Sequence, residues 1–262
     1  MAVAEAAVLE NGLQKSPSVI VVRNEELPGD ILGLSPLVNL LIICEQVGAG
    51  PVGLLTAKRL IQAGISTTIL EAQPEIEQSP RAMVYQPIAV RELDKAGILE
   101  SARQIGSSAK VVSWRKLNGE VIAVLGRPYV PDAGEGAQYE TLVLGQHELS
   151  KIILQDIQKT PTLGRMLFNH RVVAFNQQAD SVTVAVETGE KERMEFSASY
   201  LVAADGGRST LRRLLGVSFD GFTWPQQLVA TNVVYPFDKY GYDATNLTWC
   251  VLGPSGSLQV SC

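Results

Sequence analysis

Histidine and cysteine are scarce in this chain, aromatic residues make up only 6%, and positive charge is never in excess. The two histidines, His147 and His170, have no paired-ligand neighbourhood. The three cysteines, Cys44, Cys250 and Cys262, show neither metal-ligand nor disulfide spacing and suit a reducing compartment. No metal site is therefore expected. Basic residues number 22 against 27 acidic ones, for a net charge of −5, which gives no electrostatic footprint for nucleic acid. No apolar run approaches the ~20 residues of a membrane helix. The start, "MAVAEAAVLENGLQKSPS", lacks a basic segment followed by an apolar one, as a secretory signal requires. A cytoplasmic protein with neither membrane nor nucleic-acid partner is the expectation. Hydrolase chemistry also lacks support, because in "GPSGS" the glycine after Ser255 falls one place early for a nucleophile elbow.

What is present is a core-forming composition, with 46% apolar residues in a chain of 262. That length accommodates one large domain or a domain and a half. Residues 1–36 read as an irregular extension, with Pro17, Pro28, Pro36 and one short strand-like run, "SVIVV". Residues 37–217 read as a nucleotide-binding α/β domain, and 218–262 as antiparallel strands. Within the first, "VNLLIIC" is an apolar run and "PVGLLTAKRLIQAG" a helix with Val52, Leu55, Leu60 and Ala63 as its apolar positions. "STTILEA" is a β-branched strand, so strand, helix and strand form a crossover unit with parallel strands. A helix ending at Gly97 comes next, then strands with an Asn118-Gly119 hairpin signal. "GQHELSKIILQDIQK" is an amphipathic helix with Leu149, Ile152, Ile153 and Ile157 on one side. The last apolar strand, "YLVAAD", leads into a short helix with Ser209 as N-cap and Gly216 just past its end.

Two stretches carry chemistry. In Gly48-Ala49-Gly50-Pro51-Val52-Gly53, the first glycine permits a tight turn and the second lets backbone approach a pyrophosphate. The third lets helix and strand pack closely. The helix start adds N–H groups and a partial positive charge for phosphates. Glu71, ending the second strand, can accept hydrogen bonds from ribose hydroxyls and would repel a 2′-phosphate. In "YLVAADGGRSTLRR", Asp205 ends a strand and Gly206-Gly207 let backbone come close to a ligand. The carboxyl ends of strands are where open α/β sheets bind ligands.

In order along the chain, "VGAGPVGLLTAKRLIQAGISTTILEA", "PRAMVYQPIAVRELDKAGILE", "GQHELSKIIL" and "LVAADGGRSTLRRLLG" resemble the FAD-dependent aromatic hydroxylases. The likeness is to the para-hydroxybenzoate hydroxylase and phenol monooxygenase type, over about residues 38 to 255. It implies a Rossmann-like FAD-binding domain with inserted β structure and the beginning of an antiparallel substrate sheet. It also implies FAD as cofactor, NADPH or NADH as electron donor, and O2-dependent hydroxylation of a small phenolic or related aromatic substrate; a homodimer is compatible with it. By the same resemblance, Gly48, Ala49, Gly50, Pro51, Val52 and Gly53 would hold the pyrophosphate and Glu71 the adenosine ribose. Arg81 and Gln146 would reach the cofactor, and Asp205 with Gly206 would serve both FAD and the nicotinamide donor. No catalytic acid or base is assigned; Tyr85, Tyr235 and Tyr240 are candidate pocket residues.

Two departures stand out. The family's third motif, a Gly-Asp pair after the acidic one, has no match after Gly206, and Gly29-Asp30 lies before the first strand. Glu45 and Gln46 interrupt the apolar run before the turn. The strand is therefore expected either to end near Cys44 with a bulge after it, or to come from another upstream segment. Two other readings stay open: a truncated non-catalytic flavin-binding remnant or interaction protein, and an NAD-dependent dehydrogenase. The dehydrogenase would leave Gln146 and Asp205 unexplained.

Overall fold

The computed structural model describes residues 20–22, 43–79, 81–109, 111–116, 120–126, 139–225, 246–251 and 257–261. The Asn118-Gly119 turn, Gly29-Asp30, Tyr235, Tyr240, Cys262 and the expected strand "QQLVATNVVYPF" lie outside them.

In chain order the elements begin with β1 (Ile20–Val22), β2 (Ile43–Val47), α1 (Pro51–Gln62), β3 (Ser66–Leu70) and β4 (Val84–Tyr85). Next come α2 (Pro87–Lys95), α3 (Leu99–Ile105), β5 (Ser107–Ala109), β6 (Val111–Lys116), β7 (Val121–Gly126) and β8 (Thr141–Val143). The chain continues with α4 (Gln146–Gln158), β9 (Gly164–Leu167), β10 (His170–Gln177), β11 (Val182–Thr188) and β12 (Arg193–Ala198). It closes with β13 (Tyr200–Ala203), α5 (Thr210–Leu214), β14 (Asn246–Val251) and β15 (Ser257–Ser261). The described residues fall into two compact units, one within 1–79 and 147–220, the other within 80–146 and 221–262.

The first unit is built on a sheet of order β1-β13-β2-β3-β9. β13, β2, β3 and β9 run parallel, and β1 joins the β13 edge antiparallel. The run "SVIVV" thus supplies an edge strand. β2 corrects the expectation for Glu45 and Gln46. It neither stops at Cys44 nor bulges, because Cys44, Glu45, Gln46 and Val47 stand in unbroken register with both neighbours. Ladder hydrogen bonds come from the backbone, so two polar residues do not forbid a central strand.

One face of this sheet carries the meander β10-β11-β12, paired antiparallel throughout. Val47, Leu70, Leu201 and Ala203 point into that layer and share a core with Val172, Val184, Val186 and Leu211. Alternate residues face the other way, and Val202 packs with Ile65 instead. The helices α1 and α4 meet against β9, where a Cβ on Gly164 would fall 2.8 Å from both Ile157 and Ile61. As expected, α4 buries Leu149, Ile152, Ile153 and Ile157. For α1 the expected face is corrected: it buries Gly53, Leu54, Ala57 and Ile61, while Val52 remains 45% exposed. Two small residues on that face let helix and sheet approach closely.

The second unit holds the small sheet β4-β8-β5 and the sheet β15-β14-β6-β7. The expected strand "LTWCVLG" is β14; it pairs antiparallel with β15, as anticipated, but parallel with β6. α2 ends at Lys95, two residues before the Gly97 expected to close it, and α3 then starts at Leu99, where the sequence pattern predicts no separate helix. Gly64, Gly97 and Gly216 come after α1, α2 and α5 with φ of 79°, 71° and 68°, left-handed caps that glycine adopts without strain.

Candidate cofactor site

Register builds the site in the first unit. Val47 is paired with Leu70 on one side and with Ala203 on the other, so three parallel strands end at one level. The segments just beyond these strand ends are therefore brought together: the glycine turn after β2, Glu71 after β3, and Ala204-Asp205 after β13. β2 lies between strands reached in opposite chain directions, the switch point where open α/β sheets leave a crevice.

The turn is fixed by backbone on both sides. The Gly48 N–H donates to the Leu70 carbonyl at 2.9 Å, and the Ala204 N–H to the Val47 carbonyl at 2.8 Å. Gly48 has φ +100°, and a Cβ there would stand 2.4 Å from the Ala204 carbonyl oxygen. Its glycine is thus required twice, by conformation and by the close approach of the Asp205 segment. Gly50 is different. Its φ of −70° suits any residue, and a Cβ on it would meet nothing within 4 Å. Open space lies over Gly50 at the start of α1, with Pro51 at the first helical position. The N–H groups of a first helical turn have no partner within the helix. A pyrophosphate fits this arrangement, with room above Gly50 and donors beneath.

Glu71 is held by the turn it serves. One carboxylate oxygen accepts the Ala49 N–H at 2.8 Å and the other the Gln73 N–H at 2.9 Å. Each oxygen keeps a further lone pair for a hydroxyl. Asp205 has structural work of its own: its Oδ2 accepts the N–H groups of Thr210 at 2.6 Å and Leu211 at 3.2 Å. Ser209, the expected N-cap, accepts the Arg212 N–H at 2.9 Å. Two side chains therefore cap the first turn of α5, where the sequence pattern predicts Ser209 alone. Gly206 has φ +80°, and Cβ atoms built on Gly206 and Gly207 would both face open space.

Arg81 and Gln146 belong to the second unit. The Gln146 N–H donates to the carbonyl of Ala82 at 3.0 Å, which brings the two segments side by side. Arg81 is exposed with φ 42°, a region a non-glycine residue occupies only under strain, and such strain concentrates at functional sites. Tyr85 on β4 has a buried hydroxyl with no hydrogen-bond partner, and burial pushes its pKa up to about 12. The phenol stays protonated at any physiological pH.

A profile of the FAD binding domain family matches residues 43–258. The chain belongs to that family. As an FAD-binding domain it is 40% identical over 202 residues to para-nitrophenol 4-monooxygenase of Pseudomonas sp. strain WBC-3, covering 76% of this chain and 49% of that protein. To 6-hydroxy-3-succinoylpyridine 3-monooxygenase of Pseudomonas putida it is 33% identical over 208 residues, covering 77% and 50%. Among solved structures, p-nitrophenol 4-monooxygenase of Pseudomonas putida DLL-E4 superimposes with a TM-score of 0.68 at 34% identity. The match covers 78% of this chain and 51% of that one. The chain thus spans about half the length of the relatives it matches.

Sequence reasoning alone passes over Arg212. It is buried, with 8% of its surface exposed, and its Nη2 donates to the Gly207 carbonyl at 2.9 Å. Only its place in the basic pair Arg212-Arg213 marks it, and a basic pair on a short helix usually signals solvent.

Proposed function

We propose that this domain is the cofactor-binding part of a flavin-dependent monooxygenase that hydroxylates a phenolic or related aromatic substrate. O2 is the oxygen source, NADPH or NADH the electron donor, and the cytoplasm the compartment. The observation that carries this reading is the convergence, at the carboxyl ends of β13, β2 and β3, of the open Gly50 turn, the Glu71 carboxylate and the Asp205 segment. The names of the relatives supply the aromatic substrate class and the monooxygenase chemistry.

In this reading residues 37–217 are the FAD-binding domain, 218–262 begin the substrate-binding sheet, and 1–36 are an extension. Gly48, Ala49, Gly50, Pro51, Val52 and Gly53 hold the pyrophosphate on the start of α1. Glu71 binds the adenosine ribose. Arg81 and Gln146 contact the cofactor, and Asp205 and Gly206 present backbone to it. Flavin, when bound, supplies the electron and oxygen chemistry; the protein binds it, orients it and keeps water away. Glu71 would repel an extra phosphate on the adenosine ribose, which fits FAD better than NADP at this turn.

The test is the purified chain mixed with FAD, followed by visible spectrum and by NADPH and NADH oxidation with a panel of phenols. A bound yellow flavin with phenol-stimulated oxidation is the expected result. Flavin binding without any stimulated oxidation would confine this chain to the cofactor-binding part of such an enzyme. Binding of NAD in place of FAD would overturn the cofactor assignment.

A further inference from the structure

We propose that Phe219, acting through Arg212, is a positioning residue that holds the Gly206–Gly207 turn in the form that receives the cofactor. The proposal rests on the FAD reading and adds to it a residue outside the glycine and acidic motifs.

The starting point is a buried charge with little to hold it. Arg212 is 8% exposed, and its guanidinium donates from Nη2 to the Gly207 carbonyl at 2.9 Å. Its Nη1 is buried with no hydrogen-bond partner, and among the described residues no carboxylate pairs with it. A buried cation in this condition is unfavourable unless something else stabilises it. The Phe219 ring does so: the guanidinium carbon lies 4.1 Å from the ring centroid, the geometry of a cation–π contact.

Phe219 is itself 55% exposed, so ordinary core burial does not account for its position. Its ring covers a guanidinium whose other end grips the turn. The turn needs such a grip, because Gly206 sits at φ +80° and neither Gly206 nor Gly207 has a neighbour that a Cβ would touch. Glycine-rich backbone without packing loses the most freedom on ordering. Asp205 and Ser209 fix the start of α5, the turn's downstream end. Arg212 is the side chain seen to reach back from α5 to the turn's own carbonyl. Releasing the ring from Arg212 therefore loosens the turn while leaving the sheet, the meander and the α5 caps in place.

The experiment compares wild type, Phe219→Leu, Phe219→Tyr and Arg212→Lys in the full chain. FAD affinity is read from quenching of flavin fluorescence, and amide exchange of residues 206–208 is read without FAD. Leucine keeps apolar area but has no ring face, so Phe219→Leu should weaken FAD binding by roughly twofold to fivefold, the range of a cation–π contact with a half-exposed ring. Phe219→Tyr should restore wild-type affinity, a rescue that burial of apolar area alone would not distinguish from leucine. Arg212→Lys should weaken binding in the same direction, because an ammonium cannot hold the carbonyl and the ring in the same planar geometry. Exchange at 206–208 should accelerate in Phe219→Leu and not in Phe219→Tyr. Equal affinity and equal exchange in Phe219→Leu and wild type would overturn the proposal. Failure of wild type itself to bind FAD would instead sink the cofactor reading, and the exchange comparison would still judge the latch.

Discussion

Gly48 and Gly50 belong to one motif but answer to different physics. At Gly48 any side chain collides with the Ala204 carbonyl and must also take φ +100°. Gly48→Ala should therefore destabilise the fold by about 3 kcal/mol or more, read as a lowered urea midpoint. At Gly50 the backbone is ordinary and the space is empty. Gly50→Val should leave the unfolding free energy from urea titration within about 1 kcal/mol of wild type, since only a weak glycine cap is exchanged, while FAD binding is lost. Retained FAD affinity in Gly50→Val would show that the turn does not receive the pyrophosphate. The sequence displays this motif openly because glycine spacing is local. It conceals what depends on contacts with other chain segments: that Gly48 leans on Ala204, that Asp205 caps α5, and that Arg212 is buried with its guanidinium on the Gly207 carbonyl.

Among the elements, α1 and α4 are joined by an ion pair between Lys58 and Asp156, with Lys159 on the same carboxylate. Burial would raise the Asp156 carboxyl, but hydrogen bonds from Lys58 and Lys159 outweigh it and hold the group below its ordinary value. A depressed carboxylate stabilises the fold above its unfolded pKa, roughly 4, and that contribution is lost as pH falls through the lower folded value. Asp156→Asn should therefore lower the urea midpoint at pH 7 and converge on wild type at the acid end. A gap of the same size at both pH values would show that the ion pair is not the cause. Elements whose side chains alternate or repeat over many residues, such as β11 and α4, are legible in the sequence. α1 is legible in position but not in orientation, because its buried face is partly glycine and alanine, residues that a search for large apolar side chains passes over. β9 and α3 escape notice for a related reason: both are short, and their burial comes from neighbours elsewhere in the chain.

At the scale of the whole molecule, the second unit is composed of chain from two separate stretches, 80–146 and 221–262, with β14 laid parallel to β6 across the interval between them. No local pattern announces that pairing, since a parallel ladder carries no turn signature. The family match from 43 to 258 runs across both units, which is why the resemblance is visible in the sequence while the division into units is not.

The central strand of the first unit has a consequence for synthesis. β2 and its glycine turn leave the ribosome early, but β13, which completes one side of β2, is translated only after α4 and the meander. Until then the edge of β2 is open and Gly48 has no Ala204 to rest on, a state prone to mispairing. Nascent chains arrested with β13 still inside the ribosome should be cut by protease within 43–70. Chains whose 200–220 segment has emerged should resist, and equal cleavage of both would refute this order of assembly. The cell must therefore shelter a half-built nucleotide cradle until β13 has emerged, and flavin can be captured only after that point.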